Sequence, residues 1–355
     1  MDSTKNERIV WTAEVFMSHR LTRAIRSAVL PSVLLLGGVA FGARALVEIR
    51  EFLVPSPDAL PHDPAIAPDG ALWTTEQRAN KLGRLDVSTG QFREYPLTTA
   101  DSGPHGLVVD RAGTVWFTAN YKGYVGQLDP QTGKVREFRW NDARGGDPHT
   151  PVFDAAGMLW FTVQRGNVIG RLDPKTGTSR FIAVPTPNAV PYGLVIGADG
   201  APYFCEFGSN KIGRVDPMAM TAREYVLPEG ARPRRIALAP DGTLYYSDYA
   251  RGMLGRLDPS SARVDEWRSP GGPGSRPYGI ATTADGLVWY SESGVQPNTL
   301  VRFDPATKRF EVTPIPSGGG VVRNMVATPK GELYLACSGV NRVAVAVPAT
   351  AKESR

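Results

Sequence analysis

A short unit that repeats along this 355-residue chain constrains its fold more than any other feature. The clearest copy runs from Ser102 to Phe138. It has a polar lead-in, an apolar run, a Gly turn, a second run carrying Trp116, and two further runs separated by turns. Runs of four to seven residues between Gly, Pro and Asp turns predict a four-stranded antiparallel meander.

The unit occurs seven times. The position of His105 recurs at steps of 42 to 45 residues, at His62, His105, His149, Tyr192, Arg234, Tyr278 and Arg323. The aromatic of the second run recurs at Trp73, Trp116, Trp160, Tyr203, Tyr245, Trp289 and Tyr334. A period in the low forties with four strands per unit is typical of a β-propeller. We therefore predict an all-β fold, a seven-bladed β-propeller of four-stranded antiparallel blades.

The two ends of the repeat region complement each other. Residues 47–54 resemble the fourth strand of a unit but have no first three strands before them, whereas the last unit stops after its third strand at Val343–Val347. We predict that the N-terminal strand closes the last blade, which protects the edges that an open ring would expose. The propeller domain is then residues 46–348, and residues 349–355 form a polar C-terminal tail.

Residues 1–45 read as a signal peptide or a membrane anchor. The apolar run Ala28–Ala43 has 16 residues, follows Arg20, Arg23 and Arg26, and ends in the small-x-small pattern Ala43-Arg44-Ala45. It is shorter than the ~20 residues of a spanning helix, so we interpret it as a secretory signal cleaved near Ala45. An uncleaved anchor is the alternative. Either predicts a periplasmic or secreted protein whose contact with the inner membrane is limited to this segment.

The charge of the chain argues against one class of partner, and the positions of its cysteines argue against a disulfide. Residues 1–45 hold six basic and three acidic side chains, so without them the formal net charge falls from +5 to +2. No cluster of Lys, Arg and aromatic residues remains on one strand face, which argues against nucleic acid. Cys205 and Cys337 lie in units four and seven, too far apart around the ring to pair, and are expected to be free thiols. We expect a monomer that binds a small molecule.

Two rings of variable side chains are predicted at one mouth of the channel. The start of the first strand and the end of the second meet at one edge of an antiparallel pair. The first ring is the His105-type position; the second ring is Glu76, Ala119, Val163, Glu206, Asp248, Glu292 and Cys337. Convergent polar groups on a closed scaffold predict a binding site.

Structural roles compete with this interpretation. A Pro-His pair could simply shape the entry turn, with the imidazole capping a backbone group, and the glutamates of the second ring could be solvated turn residues. The repeated Asp86, Asp129, Asp173, Asp216, Asp258 and Asp304 are expected to cap the turn after the third strand.

The repeat resembles that of the virginiamycin B (streptogramin B) lyase family. The resemblance covers about residues 47–348 and rests on Pro104-His105-Gly106-Leu107, Trp116-Phe117-Thr118, Pro191-Tyr192-Gly193-Leu194 and Asn210-Lys211-Ile212-Gly213-Arg214. It implies a seven-bladed propeller that holds Mg²⁺ or another divalent cation at one mouth. It also implies that a His acts as general base or acid while an ester of a cyclic depsipeptide is opened by elimination.

The family's catalytic histidines occupy the Pro-His positions of its last two repeats, which here are Tyr278 and Arg323. The nearest local match is Asp147-Pro148-His149, with His105 on the neighbouring unit. The resemblance and the rings together suggest His105, His149, Tyr192, Tyr278 and Arg323 as catalytic residues. The suggested metal ligands are Glu76, Asp147, Glu206 and Glu292.

Two other functions stay open: a metal-dependent hydrolase of a lactone or related ester, and a non-catalytic exported propeller that binds a ligand or protein at the mouth. Oxygen ligands would suit Mg²⁺ or Ca²⁺, whereas a site made of three imidazoles would favour a transition metal.

Overall fold

The computed structural model describes residues 47–349, so the predicted leader and nearly all of the predicted tail lie outside the described residues. Strands follow the runs seen in the sequence. Six blades pair their four strands in chain order, from an innermost first strand to an outermost fourth, and the seventh takes its outermost strand from the N-terminal end; all pairs are antiparallel. The prediction of a seven-bladed all-β propeller is confirmed.

The strand bounds follow blade by blade. Blades 1 and 2 contain β2 (Pro61–Ile66), β3 (Leu72–Glu76), β4 (Lys81–Leu85), β5 (Phe92–Pro96), β6 (Pro104–Val109), β7 (Val115–Ala119), β8 (Tyr124–Leu128) and β9 (Val135–Arg139). Blades 3 and 4 contain β10 (Pro148–Phe153), β11 (Leu159–Val163), β12 (Val168–Leu172), β13 (Ser179–Ala183), β14 (Pro191–Ile196), β15 (Pro202–Glu206), β16 (Lys211–Asp216) and β17 (Thr221–Val226).

Blades 5 and 6 contain β18 (Pro233–Leu238), β19 (Leu244–Asp248), β20 (Met253–Asp258), β21 (Arg263–Arg268), β22 (Pro277–Thr282), β23 (Val288–Glu292), β24 (Thr299–Asp304) and β25 (Arg309–Pro314). Blade 7 contains β26 (Val322–Ala327), β27 (Leu333–Cys337), β28 (Arg342–Pro348) and β1 (Val47–Leu53). Short 3₁₀ turns lie at Ala143–Gly145 and Ser338–Val340.

The N-terminal strand closes the ring as predicted. All seven residues of β1 pair with β28, from Val47 opposite Pro348 to Leu53 opposite Arg342. Closure is reinforced beyond the ladder, because the Ser317 N–H donates to Glu51 Oε2 at 2.8 Å. The outermost strand of the last blade is thereby supplied by the opposite end of the domain.

The hydrophobic core lies between blades rather than at the axis. One cluster joins Trp73 and Leu82 of blade 1 to Phe117 and Leu128 of blade 2, and comparable clusters fill the other interfaces between blades. Because each sheet packs against two neighbours, both of its faces are buried along the inner strands. The axis is left to side chains from the first strands.

Local turn chemistry also agrees with the sequence. The Asp86 carboxylate accepts the Ser88 N–H at 2.9 Å, and the equivalent bond forms in the next five blades, at Asp129, Asp173, Asp216, Asp258 and Asp304.

Cys205 and Cys337 are buried free thiols, as expected. Among residues 47–349, no helix has the length and apolar character needed to cross a bilayer.

Candidate functional site

A bulge at the start of each innermost strand aims the first-ring side chains. In blade 1, Pro61 pairs with Glu76, but the next paired residue is Pro64, so His62 and Asp63 have no regular partner on β3. The same shift occurs in all seven blades. A bulge redirects side chains that a regular ladder would alternate. Here it turns two consecutive residues of each blade toward the channel.

Hydroxyl groups of the second strands hold this geometry. Thr75 accepts the Asp63 N–H at 3.1 Å and donates to the His105 carbonyl oxygen of the next blade at 2.7 Å. Thr118 and Thr162 make the same two bonds in their blades, whereas Ser291 accepts the Gly279 N–H and donates to the carbonyl oxygen of Val322, one residue before Arg323. In blades 1 to 3 this Thr therefore fixes the backbone of the first-ring residue of the next blade, which is His105, His149 or Tyr192.

Three imidazoles stack along one side of the mouth. The ring centroids of His62 and His105 are 3.6 Å apart, and those of His105 and His149 are 3.7 Å apart. Tyr192 continues the row, 4.1 Å from His149. All three imidazoles are buried. The structure thus brings together His105, His149 and Tyr192, which were predicted as catalytic, with His62, another member of the predicted first ring.

The imidazoles are neutral at physiological pH. Burial lowers the pKa of His62, His105 and His149 well below the ordinary value, and the positive charge of Arg235 lowers each further. His62 Nδ1 lies 2.9 Å from Asp63 Oδ1. Since a carboxylate can only accept, His62 Nδ1 carries the proton and its Nε2 is left as an acceptor. His105 Nδ1 is buried and has no hydrogen-bond partner in the described part of the chain.

The other side of the mouth is built from tyrosines and arginines. The hydroxyls of Tyr192 and Tyr278 share a short hydrogen bond, and burial raises the pKa of the Tyr278 hydroxyl. The guanidinium of Arg234 lies 3.7 Å from the Tyr278 ring centroid and 4.4 Å from that of Tyr249, with Phe207 and Tyr192 also in cation–π range. Predicted residues Tyr192 and Tyr278 therefore meet directly.

An ion pair that we did not predict lies one residue along the innermost strands. Arg235 Nη2 is 2.6 Å from Asp63 Oδ1, and Arg235 Nη1 donates to Thr150 at 3.2 Å. The equivalent position is Gly in three other blades, where packing requires it: a Cβ on Gly106 would lie 2.1 Å from the His149 carbonyl oxygen. The sequence does carry a signal for this pair. Two opposite charges occur at a repeat position that the other blades fill with small or neutral residues.

A cavity of about 410 Å³ continues the channel from this ion pair toward the other end of the innermost strands. Asp63, Thr150, Arg235 and Asn324 supply polar groups, and the remaining wall is mostly aliphatic. The stacked histidines do not line this cavity. The mouth and the cavity are therefore separate parts of one channel.

The four predicted metal ligands do not converge. Within residues 47–349, Glu76 is fully buried without a hydrogen-bond partner, and Glu206 accepts a hydrogen bond from Ser209 alone, at 2.7 Å. Glu292 accepts the Gly271 N–H at 2.6 Å and the Thr299 hydroxyl at 2.7 Å. Asp147 accepts the Arg165 N–H at 3.0 Å.

Strand alternation explains this outcome for the glutamates. Thr75 directs its hydroxyl to the next blade, so Glu76, the following residue on β3, points to the opposite face. Burial raises the pKa of Glu76 to about 8 and that of Glu206 to about 7, so at neutral pH the free Glu76 is mostly protonated and Glu206 is partly protonated. One Mg²⁺ ion needs several oxygens around a single point, and these four acids do not provide it. Binding of Mg²⁺ or another divalent cation stays a prediction.

One cluster in residues 47–349 groups three potential ligands: His62, Asp63 and His105, whose ligand atoms lie within 4.8 Å of one another. Its chemistry is nitrogen-rich and would suit a transition metal better than Mg²⁺. However, Asp63 is already held by Arg235, as its hydrogen bonds show.

Comparisons with known proteins agree with this architecture. The sequence profile of the virginiamycin B lyase family matches residues 43–181 and 152–352. A streptogramin B lyase structure is 25% identical, with a TM-score of 0.78 over 85% of this chain and 98% of that one. Virginiamycin B lyase from Staphylococcus aureus is 24% identical, with a TM-score of 0.78 over 85% of this chain and 100% of that one.

A catalytically inactive form of the Staphylococcus aureus enzyme, solved with quinupristin, is 22% identical and has a TM-score of 0.77 over the same shares of the two chains. A comparison with curated proteins gave no match. The profile covers nearly all of the propeller, and the fold agrees over the full length of the solved lyases. The chain therefore belongs to the virginiamycin B lyase family.

Proposed function

We propose that this protein is an exported carbon–oxygen lyase that opens an ester of a cyclic depsipeptide or related small molecule by elimination. The observation that carries the proposal is His105, held between His62 and His149 with one ring nitrogen buried and unpartnered. A neutral imidazole has a nitrogen free to accept a proton from carbon, and negative charge developing on a bound substrate would raise its lowered pKa toward the working range.

Elimination needs three changes at the substrate. The C–H bond next to a carbonyl breaks and its proton moves to an imidazole nitrogen; the electron pair forms a carbon–carbon double bond; the alkyl carbon–oxygen bond breaks, and its pair leaves with a carboxylate. His105 or His149 would take the proton. The hydroxyls of Tyr192 and Tyr278 and the Arg234 guanidinium would donate to oxygen atoms that gain negative charge. A divalent cation, where bound, would add further stabilisation of that charge.

The mass of the ring-opened product distinguishes the proposed lyase from the alternative, a hydrolase. Elimination opens a cyclic ester without changing its mass, whereas hydrolysis adds one water. We would incubate the protein with streptogramin B depsipeptides and with simple lactones in H₂¹⁸O, with and without added Mg²⁺, and follow the products by mass spectrometry. Ring opening without ¹⁸O uptake supports the lyase, and ¹⁸O in the product supports the hydrolase.

Substitution of the two histidines tests whether their imidazoles take part in the reaction. His105→Gln and His149→Gln should each reduce turnover by roughly 10²-fold or more, the usual contribution of a positioned general base, while the cooperative unfolding transition is kept. Asp86→Asn, in an exposed turn, is the control and should keep full turnover. If both histidine variants keep wild-type turnover, the imidazole row is not catalytic and the proposal is wrong.

A further inference from the structure

The charges at the mouth are not balanced. Arg234, Arg235 and Arg323 all lie close enough to His62 for their positive charges to lower its pKa, and Asp63, next to His62, is committed to Arg235. In residues 47–349, no carboxylate forms an ion pair with Arg234 or Arg323. With neutral imidazoles beside them, these two guanidiniums leave the mouth with excess positive charge.

The two arginines also have unused donors. The Nε atoms of Arg234 and Arg323 are both buried and have no hydrogen-bond partner within residues 47–349. His105, only 5% exposed, has an unpartnered Nδ1 in the same ring. Leaving buried polar groups of this kind unsatisfied is unfavourable. With Arg235 Nε, four such atoms within residues 47–349 surround this mouth, and together they indicate a missing hydrogen-bonding partner.

Neighbouring side chains hold the guanidinium of Arg234 in place. Arg234 is enclosed by the rings of Tyr192, Phe207, Tyr249 and Tyr278 and donates to the Tyr192 hydroxyl at 3.3 Å. Arg323 comes from blade 7, between Tyr278 of blade 6 and His62 of blade 1. Both arginines are partly exposed, so a ligand from solvent can reach them.

This arrangement opposes a metal cation and favours an anion. A cation at the His62–Asp63–His105 cluster would have to compete with Arg235 for Asp63 and would be repelled by the nearby guanidiniums. A carboxylate instead matches what is present: fixed, planar, charged donors that bind two oxygens at once.

We infer that the mouth is a binding site for a carboxylate group, held by Arg234 and Arg323. The inference goes beyond the proposed function, because binding requires no turnover. In the elimination described above, the same site would receive the carboxylate that leaves with the electrons of the broken carbon–oxygen bond. A substrate that already carries a carboxylate would be oriented by it.

The test uses the full chain in buffer containing EDTA, with sodium benzoate as the probe and benzamide as its neutral counterpart of similar shape. Calorimetric titration and thermal melting are recorded at fixed ionic strength. We expect benzoate to bind and to raise the melting temperature, because a ligand specific for the folded state stabilises it. Benzamide should do neither.

Three variants complete the test. Arg323→Gln and Arg234→Gln should each weaken benzoate binding about tenfold or more, as expected on loss of a charge-assisted hydrogen-bonding partner. Arg323→Lys keeps the charge without the planar fork and should fall between, which preserves the test if a Gln variant unfolds. Arg256→Gln, which removes a guanidinium bonded to Thr243 and Asp265, should bind like the wild type.

The inference is wrong if benzamide binds as well as benzoate, if neither binds, or if Arg256→Gln weakens binding as much as Arg323→Gln. It is also wrong if, in separate melts without EDTA, Zn²⁺ or Mg²⁺ stabilises the chain while benzoate does not. Its failure is separable from that of the proposed function. Benzoate binding without ring opening of any ester contradicts only the lyase, and ring opening without benzoate binding contradicts only the carboxylate site.

Discussion

Asp63 and Arg235 form a buried ion pair across the propeller axis, although 172 residues separate them in the chain. Both side chains are about 3% exposed. The pair connects blade 1 to blade 5, and its bond to Thr150 adds blade 3. It is a polar crosslink at the one place where the hydrophobic clusters between neighbouring blades do not reach.

Breaking this pair on one side should destabilise the protein strongly. Asp63→Asn leaves the Arg235 charge buried without a counterion, and we expect the free energy of unfolding to fall by about 3–5 kcal/mol. Urea denaturation followed by circular dichroism measures it. The double variant Asp63→Leu/Arg235→Met removes both charges and should lose less than the single one. A loss below about 1 kcal/mol for Asp63→Asn would mean that the pair behaves like a solvent-exposed one.

The buried imidazoles should make the fold sensitive to mild acid. In the unfolded chain a histidine titrates near pH 6.5, whereas burial lowers the pKa of His62, His105 and His149 in the folded state. Below about pH 6.5 the unfolded chain therefore binds more protons, and stability falls as the pH falls toward the folded pKa values.

Urea unfolding at pH 8, 7, 6 and 5 tests this dependence on acid. His105→Gln should reduce the slope of stability against pH between pH 6.5 and 5, while Asp86→Asn should leave it unchanged. Equal slopes for the wild type and His105→Gln would show that the imidazole is protonated as readily in the folded protein as in the unfolded chain.

Glu76 should have the opposite pH dependence. Its pKa is raised to about 8 by burial, with the Glu94 charge adding to the shift. Above the unfolded value of about 4.3, the unfolded chain loses its proton first, so the contribution of Glu76 to stability is lost as the pH rises toward 8. Glu76→Gln keeps the shape without the titration. We expect it to gain stability relative to the wild type between pH 5 and pH 8.5.

The difference in unfolding free energy between Glu76→Gln and the wild type, measured at both pH values, is the readout, since it cancels the contribution of the histidines. Asp86→Asn is the control: the pKa of Asp86 is lowered by bonds from Ser88, so it stays ionised over this range. A pH-independent difference for Glu76→Gln would contradict the raised pKa.

The glycine of the repeated Gly-Arg-Leu-Asp element should tolerate no side chain. A Cβ on Gly170 would lie 2.2 Å from Phe161 Cζ, because the ring of the second strand covers the third strand at this point. Gly170→Ala should lower the unfolding free energy by about 1–3 kcal/mol through overpacking. The double variant Phe161→Leu/Gly170→Ala should lose less than the sum of the two single variants, which a double-mutant cycle detects. Strict additivity would rule out this contact as the cause.

Much of the fold was accessible from local patterns. Strand length, turn chemistry and the spacing of Trp73 and its equivalents all act within one repeat, so they predict the blade without knowledge of its neighbours. Closure by β1 followed from counting strands, because an incomplete unit at each end leaves one solution. The first ring was predicted as well, since His62, His105 and His149 occupy one repeat position.

The orientation of side chains across the channel depended on the assembled ring. The bulge after Pro61 brings Asp63 to the axis, and only closure of seven blades places Arg235 opposite it. Alternation along β3 turns Glu76 away from the ring it was expected to join. The spacing of hydrophobic residues and the choice of turn residues depend on amino acids close together in the sequence, so they can be read from it directly. The meeting of charges from blades 1 and 5 is long-range and exists only where the folded blades converge.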